Sequence, residues 1–207
     1  MTKEVAVQYQ ALLRDLTAAV HRAYERGIQM GSGGNSSIRI PGENKMIVSV
    51  SGHSFADCRE DGTGWTIADF SARGLCGEKP SKESGFHGCI YSRFPGVHSI
   101  VHCHAPWSIA WVDRHDRMQH YTWQSRVKLP MRLRVFDQSA AAVPVCDFEK
   151  ILSQVGDGEN CNSFILRRHG IVAVGATAVE AEHMAEFIEE CAKIELLRQL
   201  SCADNGI

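Results

Sequence analysis

The 207-residue sequence predicts one mixed α/β domain, and three observations carry that prediction. A helical stripe of apolar residues runs through the first two dozen positions. Short strand-like runs separated by Gly, Pro and Asn fill the middle, and a long amphipathic stretch follows them.

Taken in order, Val5, Tyr9, Leu12, Leu13, Leu16 and Val20 recur at i, i+3/i+4 spacing, so residues 5–26 are expected to form one helix, with Gly27 as its C′ residue. Gly31-Ser32-Gly33-Gly34-Asn35 is a small polar turn. Residues 37–40 and 46–50 read as strands joined across Pro41-Gly42-Glu43-Asn44, a hairpin. Residues 62–77 mix turns with one short strand, and 81–94 look helical, closing near Pro95-Gly96. A strand is expected at 98–104, a charged irregular excursion at 113–134, a strand at 133–136 and a short helix at 148–155. Two strands, 164–166 and 171–174, flank Arg168-His169-Gly170. Thr177-Ala178-Val179-Glu180 fits a capping box, in which Thr and Glu side chains exchange bonds with free backbone N–H groups, and it opens a helix through Leu200. No repeat, low-complexity tract or linker divides the chain, so residues 1–207 are expected to be a single domain.

Composition removes several function classes. Hydrophobic residues make up 44% and charged residues 22%, the opposite of a disordered balance. A net charge of −2 offers no broad footprint for nucleic acid or anionic lipid. No apolar run approaches the ~20 residues that span a bilayer, and Met1-Thr2-Lys3-Glu4 lacks a signal-peptide pattern. The eight cysteines contain no C-x-x-C pair and read as reduced structural thiols, so a cytoplasmic protein is expected.

The ten histidines hold the chemistry. In His102-Cys103-His104, side chains at i and i+2 of a strand leave one face, so both imidazoles can reach one ion. The pair alone also fits two histidines on a polar sheet face. His169, placed between two strands and before Gly170, is a third candidate. Three imidazoles with an open position form a catalytic rather than a closed structural metal site. Zinc suits them first, while manganese, cobalt and iron stay open by ligand type. Cys103 points to the opposite face and reads as a buried residue. Glu83, in Gly77-Glu78-Lys79-Pro80-Ser81-Lys82-Glu83, also fits an ordinary first-turn acid favoured by the helix dipole. Gly33-Gly34-Asn35-Ser36-Ser37 and Ser51-Gly52 can present several donors to a phosphate, or form generic turns.

In chain order these pieces resemble the class II aldolase/adducin family. The matching residues are Gly34-Asn35-Ser36-Ser37-Ile38-Arg39, Ser49-Val50-Ser51-Gly52, Lys79-Pro80-Ser81-Lys82-Glu83 with His87 and Tyr91, Val101-His102-Cys103-His104, and Arg168-His169-Gly170. The resemblance implies a three-layer sandwich, a central mainly antiparallel sheet with helices on both sides, assembled as a homotetramer with active sites at subunit interfaces. It implies that His102, His104 and His169 are metal ligands and that Glu83 is an acid/base residue close to the metal, its pKa tuned near neutrality. Gly34, Asn35, Ser51, Gly52 and Ser81 match phosphate-binding positions. Tyr121 sits where fuculose-phosphate-type aldolases carry a tyrosine that donates a proton to a neighbouring site, or is an exposed loop tyrosine.

The implied activity is metal-dependent carbon–carbon cleavage of a small phosphorylated keto-sugar or keto-sugar acid, with the developing charge held as an enediolate at the metal. Lys82 departs from the Pro-Ser-Ser-Glu turn of sugar-phosphate aldolases. It reads as a surface lysine or as the partner of a substrate carboxylate, and the turn then resembles the branch that decarboxylates 3-oxo-tetronate 4-phosphate. A dehydratase or 4-epimerase on this scaffold, and a non-catalytic adducin-like module, are the further alternatives.

Overall fold

Local alternation of buried residues builds a sheet whose two faces are both covered. The computed structural model describes residues 1–129, 133–138 and 140–203. Its strands are β1 (Asn35–Arg39), β2 (Lys45–Ser49), β3 (Trp65–Asp69), β4 (Gly74–Cys76), β5 (Ser99–Cys103), β6 (Arg134–Phe136), β7 (Gly156–Asp157), β8 (Asn160–Cys161), β9 (Phe164–Leu166) and β10 (Gly170–Gly175). Eight of them form one sheet in the order β4-β3-β2-β1-β5-β10-β9-β6, and β7 pairs with β8 alone. Every pairing in the large sheet is antiparallel except β6 on β9.

The helices are α1 (Lys3–Gln8), α2 (Gln10–Glu25), α3 (Ser84–Arg93), α4 (Pro106–Val112), α5 (Trp123–Lys128), α6 (Val145–Val155) and α7 (Ala178–Ala203). On one face Ile38, Ile47, Val101, Cys103 and Ile171 pack against Leu16 and Val20 of α2, Trp111 of α4 and Ile188 of α7. On the other, Met46, Val48, Ile100 and Val172 pack against Ile90 and Tyr91 of α3 and Leu152 of α6. The period of two sends Ile47 one way and its neighbours Met46 and Val48 the other. The expected three-layer sandwich with a mainly antiparallel sheet is the observed architecture.

Several elements differ from expectation. The helix expected over 5–26 breaks at Tyr9 (φ −111°, ψ 22°) into α1 and α2. The apolar stripe continues across the break, so spacing alone does not reveal it. Gly27 does adopt the left-handed conformation (φ +70°). Residues 62–77 hold two strands because the Asp69 carboxylate closes a turn between them, accepting N–H bonds from Ser71 and Arg73. The excursion at 113–134 contains α5, whose N-cap Thr122 accepts the Ser125 N–H at 3.0 Å; its positions 130–132 lie outside the described residues. Only half of the capping box forms. Thr177 Oγ1 accepts the Glu180 N–H at 3.1 Å, but the Glu180 carboxylate turns to the Ala176 N–H.

The thiols of Cys58, Cys76, Cys89, Cys103, Cys146, Cys161 and Cys191 are free. Among the described residues no helix is long and apolar enough to cross a membrane.

Candidate active site

Four elements converge at the site: the start of β1, the end of β5, the start of β10 and the start of α3. Register places Asn35 and Val172 on either side of His102. His102 and His104 leave β5 on the α3 side, while Cys103 is buried in the opposite layer. His169 comes from the β9–β10 loop, where Arg168 is left-handed (φ +58°) and a Cβ on Gly170 would lie 2.1 Å from the Cys103 carbonyl. That close approach requires glycine.

The three rings form a nearly equilateral triangle, with centroids 5.1, 4.6 and 4.8 Å apart for the pairs 102–104, 102–169 and 104–169. One ring nitrogen of each lies within 4.8 Å of the others. Burial lowers the pKa of all three, that of His169 to about 4, so they are neutral and carry the lone pairs a metal needs. His102 Nδ1–H donates to the Ile171 carbonyl at 2.9 Å, which leaves Nε2 unprotonated. His102 Nε2 is 3.2 Å from His169 Nε2 and 3.2 Å from Glu83 Oε2. Two nitrogens on a tetrahedral zinc lie about 3.3 Å apart. Three imidazole nitrogens within reach of one point, with a carboxylate oxygen beside them, are a donor set that fits a divalent metal.

Second contacts hold the rings. Gln138 Nε2 stands 2.6 Å from His169 Nδ1 and donates to the Ala140 carbonyl at 2.9 Å. Gln29 Oε1 accepts the His104 backbone N–H at 2.8 Å. A Cβ on Gly33 would come 2.7 Å from His104 Nδ1, and one on Gly34 (φ +66°) 2.6 Å from the His102 carbonyl, so these glycines let the lead-in to β1 pass beside β5.

Glu83 occupies the N-cap position of α3 and accepts a 2.8 Å bond from Asn35 Nδ2. Burial pushes its carboxyl up, but His102, His169 and the Asn35 amide outweigh it and hold the pKa below the ordinary value. The expected tuning toward neutrality is therefore corrected: the carboxylate is ionised. Among the described residues Asn35 Oδ1 is buried without a hydrogen-bond partner, an acceptor left for a ligand. One turn along α3, His87 Nδ1 and Tyr91 Oη both meet Ser37 Oγ at 2.8 Å, and burial lowers the His87 pKa to about 3. This motif pair is a neutral buried brace behind Glu83.

The turn at 78–81 lies along the end of β2, with Val50 bridged to Pro80. The Ser51 and Ser81 N–H groups are spent there on the carbonyls of Lys79 and Ser49, at 3.0 Å each. Their hydroxyls, rather than these amides, are what a phosphate can use. Gly52 is left-handed (φ +77°), which strains any side chain there, although no atom lies within 4 Å of an added Cβ. Lys82 is exposed and makes no hydrogen bond or ion pair among the described residues. Tyr121 is 38% exposed with Arg198 over its ring at 4.3 Å, and no described contact joins it to the imidazoles.

A cavity of about 660 Å³ opens on His104 and His169 and is lined also by Ile109, Asp137, Gln138, Arg167 and Arg168. Gln29, Gln138 and Arg168 escape sequence reasoning. Only Arg168 gave any signal, by adjoining His169 in a motif.

Comparison with known proteins agrees with this geometry. The family model described as the class II aldolase and adducin N-terminal domain matches residues 14–196. The chain is 28% identical over 176 residues to a 3-oxo-tetronate 4-phosphate decarboxylase of Haemophilus influenzae, covering 83% of this chain and 80% of that one. It is 27% identical over 183 residues to an L-fuculose phosphate aldolase of Methanococcus vannielii, covering 88% and 94%. The solved structure of an L-fuculose-1-phosphate aldolase from Thermus thermophilus superposes with a TM-score of 0.79 at 21% identity, covering 93% of this chain and 96% of that one.

Proposed function

Because the chain belongs to the class II aldolase and adducin family, we propose that it is a divalent-metal-dependent carbon–carbon lyase acting on a small phosphorylated keto-sugar or keto-sugar acid. The observation that carries this reading is the approach of His169 Nε2 and Glu83 Oε2 to His102 Nε2, each at 3.2 Å. A non-catalytic module has no use for three neutral imidazoles and an ionised carboxylate gathered in this way.

His102, His104 and His169 hold the cation, zinc foremost, with manganese, cobalt or iron compatible with the same ligands. When bound, the cation supplies Lewis acidity to oxygens beside the bond that breaks. Hydroxyls of Ser51 and Ser81, with Gly34, Asn35, Gly52 and the charge of Lys82, take the phosphate and fix one end of the substrate. Glu83, held by the Asn35 amide, moves the proton. Ionised at rest, it takes up a proton, from the substrate hydroxyl that becomes the released carbonyl in aldol cleavage or from water in decarboxylation, and delivers it to the carbon that receives the electron pair of the broken bond. Aldol cleavage and decarboxylation both leave an electron pair on the carbon beside the carbonyl, so one constellation serves either reaction. Similarity to the 3-oxo-tetronate 4-phosphate decarboxylase of Haemophilus influenzae supports decarboxylation as the second reading.

We place the active sites at the interfaces of a homotetramer in which Tyr121 reaches across as proton donor. Its exposure supports this, as does that of Trp123, Val127 and Leu200. The free thiols suit the cytoplasm.

The test is a panel of phosphorylated ketoses and sugar acids with dihydroxyacetone phosphate release as readout. Turnover is expected with at least one member, lost on chelation and restored by zinc or manganese. A preparation that neither holds metal nor can be reconstituted with it overturns the reading.

A further inference from the structure

We propose that Arg168 binds a carboxylate at the end of the substrate opposite its phosphate, which makes phosphorylated sugar acids the preferred substrate class. The inference rests on the three-histidine site proposed above and deepens it.

The cavity beside the imidazoles shows where that second end goes. His104 and His169 line it, but none of Gly34, Asn35, Ser51, Gly52, Ser81 or Lys82 does. A substrate that lies across the imidazoles with its phosphate toward β1 and α3 therefore extends its other end into this cavity. The charged groups lining the cavity are two guanidiniums, Arg167 and Arg168, and one carboxylate, Asp137. Arg167 is already engaged, bonding Asp137 at 2.7 Å and also Asp116. Among the described residues Arg168 has only Asp113, at 3.5 Å from its Nε, and its side chain is 79% exposed. That separation is longer than the 2.7–2.9 Å or so of a charge-assisted hydrogen bond, so Arg168 is free to turn to a ligand.

Its backbone points the same way. Arg168 sits at φ +58° in the tight β9–β10 loop, a conformation that favours glycine. The chain nevertheless carries its longest cation there, directly before a candidate metal ligand. The planar fork of a guanidinium matches two carboxylate oxygens, which the single charge of a lysine does not.

The experiment compares two phosphorylated four-carbon probes, erythronate 4-phosphate and erythritol 4-phosphate, which differ only in a carboxylate against a hydroxymethyl group at C1. Their binding to the zinc-loaded full chain is measured by calorimetry. The native protein is expected to prefer the acid by about ten- to a hundredfold, the strength of a hydrogen bond to a charged group. Arg168→Gln should erase that preference while leaving erythritol 4-phosphate binding unchanged, and Arg168→Lys should restore part of it. Lys82→Gln should weaken both probes alike. Equal binding of the two probes by the native protein overturns the inference and leaves the lyase reading standing. So does a preference that survives Arg168→Gln or disappears with Lys82→Gln. If neither probe binds a chain that holds zinc, the inference is overturned and the three-histidine reading stands; a chain that takes up no zinc overturns both.

Discussion

Glu83 illustrates how a single side chain depends on residues far from it in sequence. Locally it is a first-turn acid, yet Asn35 supplies its hydrogen bond and His102 stands 3.2 Å away, contributed by two other strands. The Asn35 hydrogen bond favours the ionised carboxylate against the pull of burial, so its place is as a proton carrier that starts empty. Glu83→Gln removes the ability to carry a proton while preserving shape and leaving all three imidazoles in place. Turnover is expected to fall by about 10²–10⁴-fold, with metal content unchanged by elemental analysis; near-native turnover in a metal-loaded variant removes Glu83 from this role. Arg168 is the opposite case, a residue in an unfavourable backbone conformation whose exposed side chain makes one long contact among the described residues. Strain of this kind persists where the surroundings impose it, and it gathers at ligand sites.

At the scale of elements, α4 shows what short-range patterns miss. It follows directly on His104, with Pro106 at its first position, and no side chain of its own caps it. The cap comes from α7: the buried Glu189 carboxylate accepts the N–H groups of Trp107 and Ser108 at 2.8 Å and the Ser108 hydroxyl at 2.7 Å. Glu189→Ala strands those donors in the interior and should cost about 2–3 kcal/mol, a Tm lower by roughly 5–10 °C in a chain this size. An unchanged melting curve shows that water replaces the cap at no cost. The same distinction explains what was legible beforehand. The β1–β2 and β9–β10 hairpins, the terminus at Gly27 and the His102/His104 pair are set by local periodicity and turn chemistry. Gln29 and Gln138 look like any polar residues until the order β1-β5-β10 brings them around His102 and His104. Glu83, as a first-turn acid, becomes distinctive only when Asn35 and His102 surround it. The split at Tyr9 and the position of α5 escaped because the surrounding spacing is indifferent to them.

At the scale of the whole molecule, the two helical layers carry different chemistry. The α3 side holds the site, whereas the α2–α7 side holds a buried acid with no part in it. Glu182 on α7 is fully buried, and neither carboxylate oxygen makes a hydrogen bond among the described residues. Arg22 Nε stands 2.9 Å from it without hydrogen-bond alignment, while Arg22 donates a hydrogen bond to Glu186 at 2.8 Å and Arg26 forms an ion pair with Glu186 at 3.2 Å. Although Glu182, His183 and Glu186 are close enough to share a metal, these two guanidiniums already supply the positive charge there. Burial, reinforced by Glu186 and only partly offset by Arg22 and Arg26, pushes the Glu182 pKa up to about 8. An unfolded chain ionises this group near 4.5, so between those two values the folded state holds the extra proton. Stability from this group is therefore full below about pH 4.5 and is lost as the pH rises through 8. At up to about 1.4 kcal/mol per unit, the effect across the window is on the order of a few kcal/mol. Other groups titrate over the same range, so the measurement is a difference: Tm from pH 5 to pH 8 for the native protein against Glu182→Gln. The native protein should lose stability toward pH 8 more steeply than the variant, which stays neutral throughout. Parallel pH profiles show instead that Glu182 is ionised in the fold, with Arg22 as its true counter-charge.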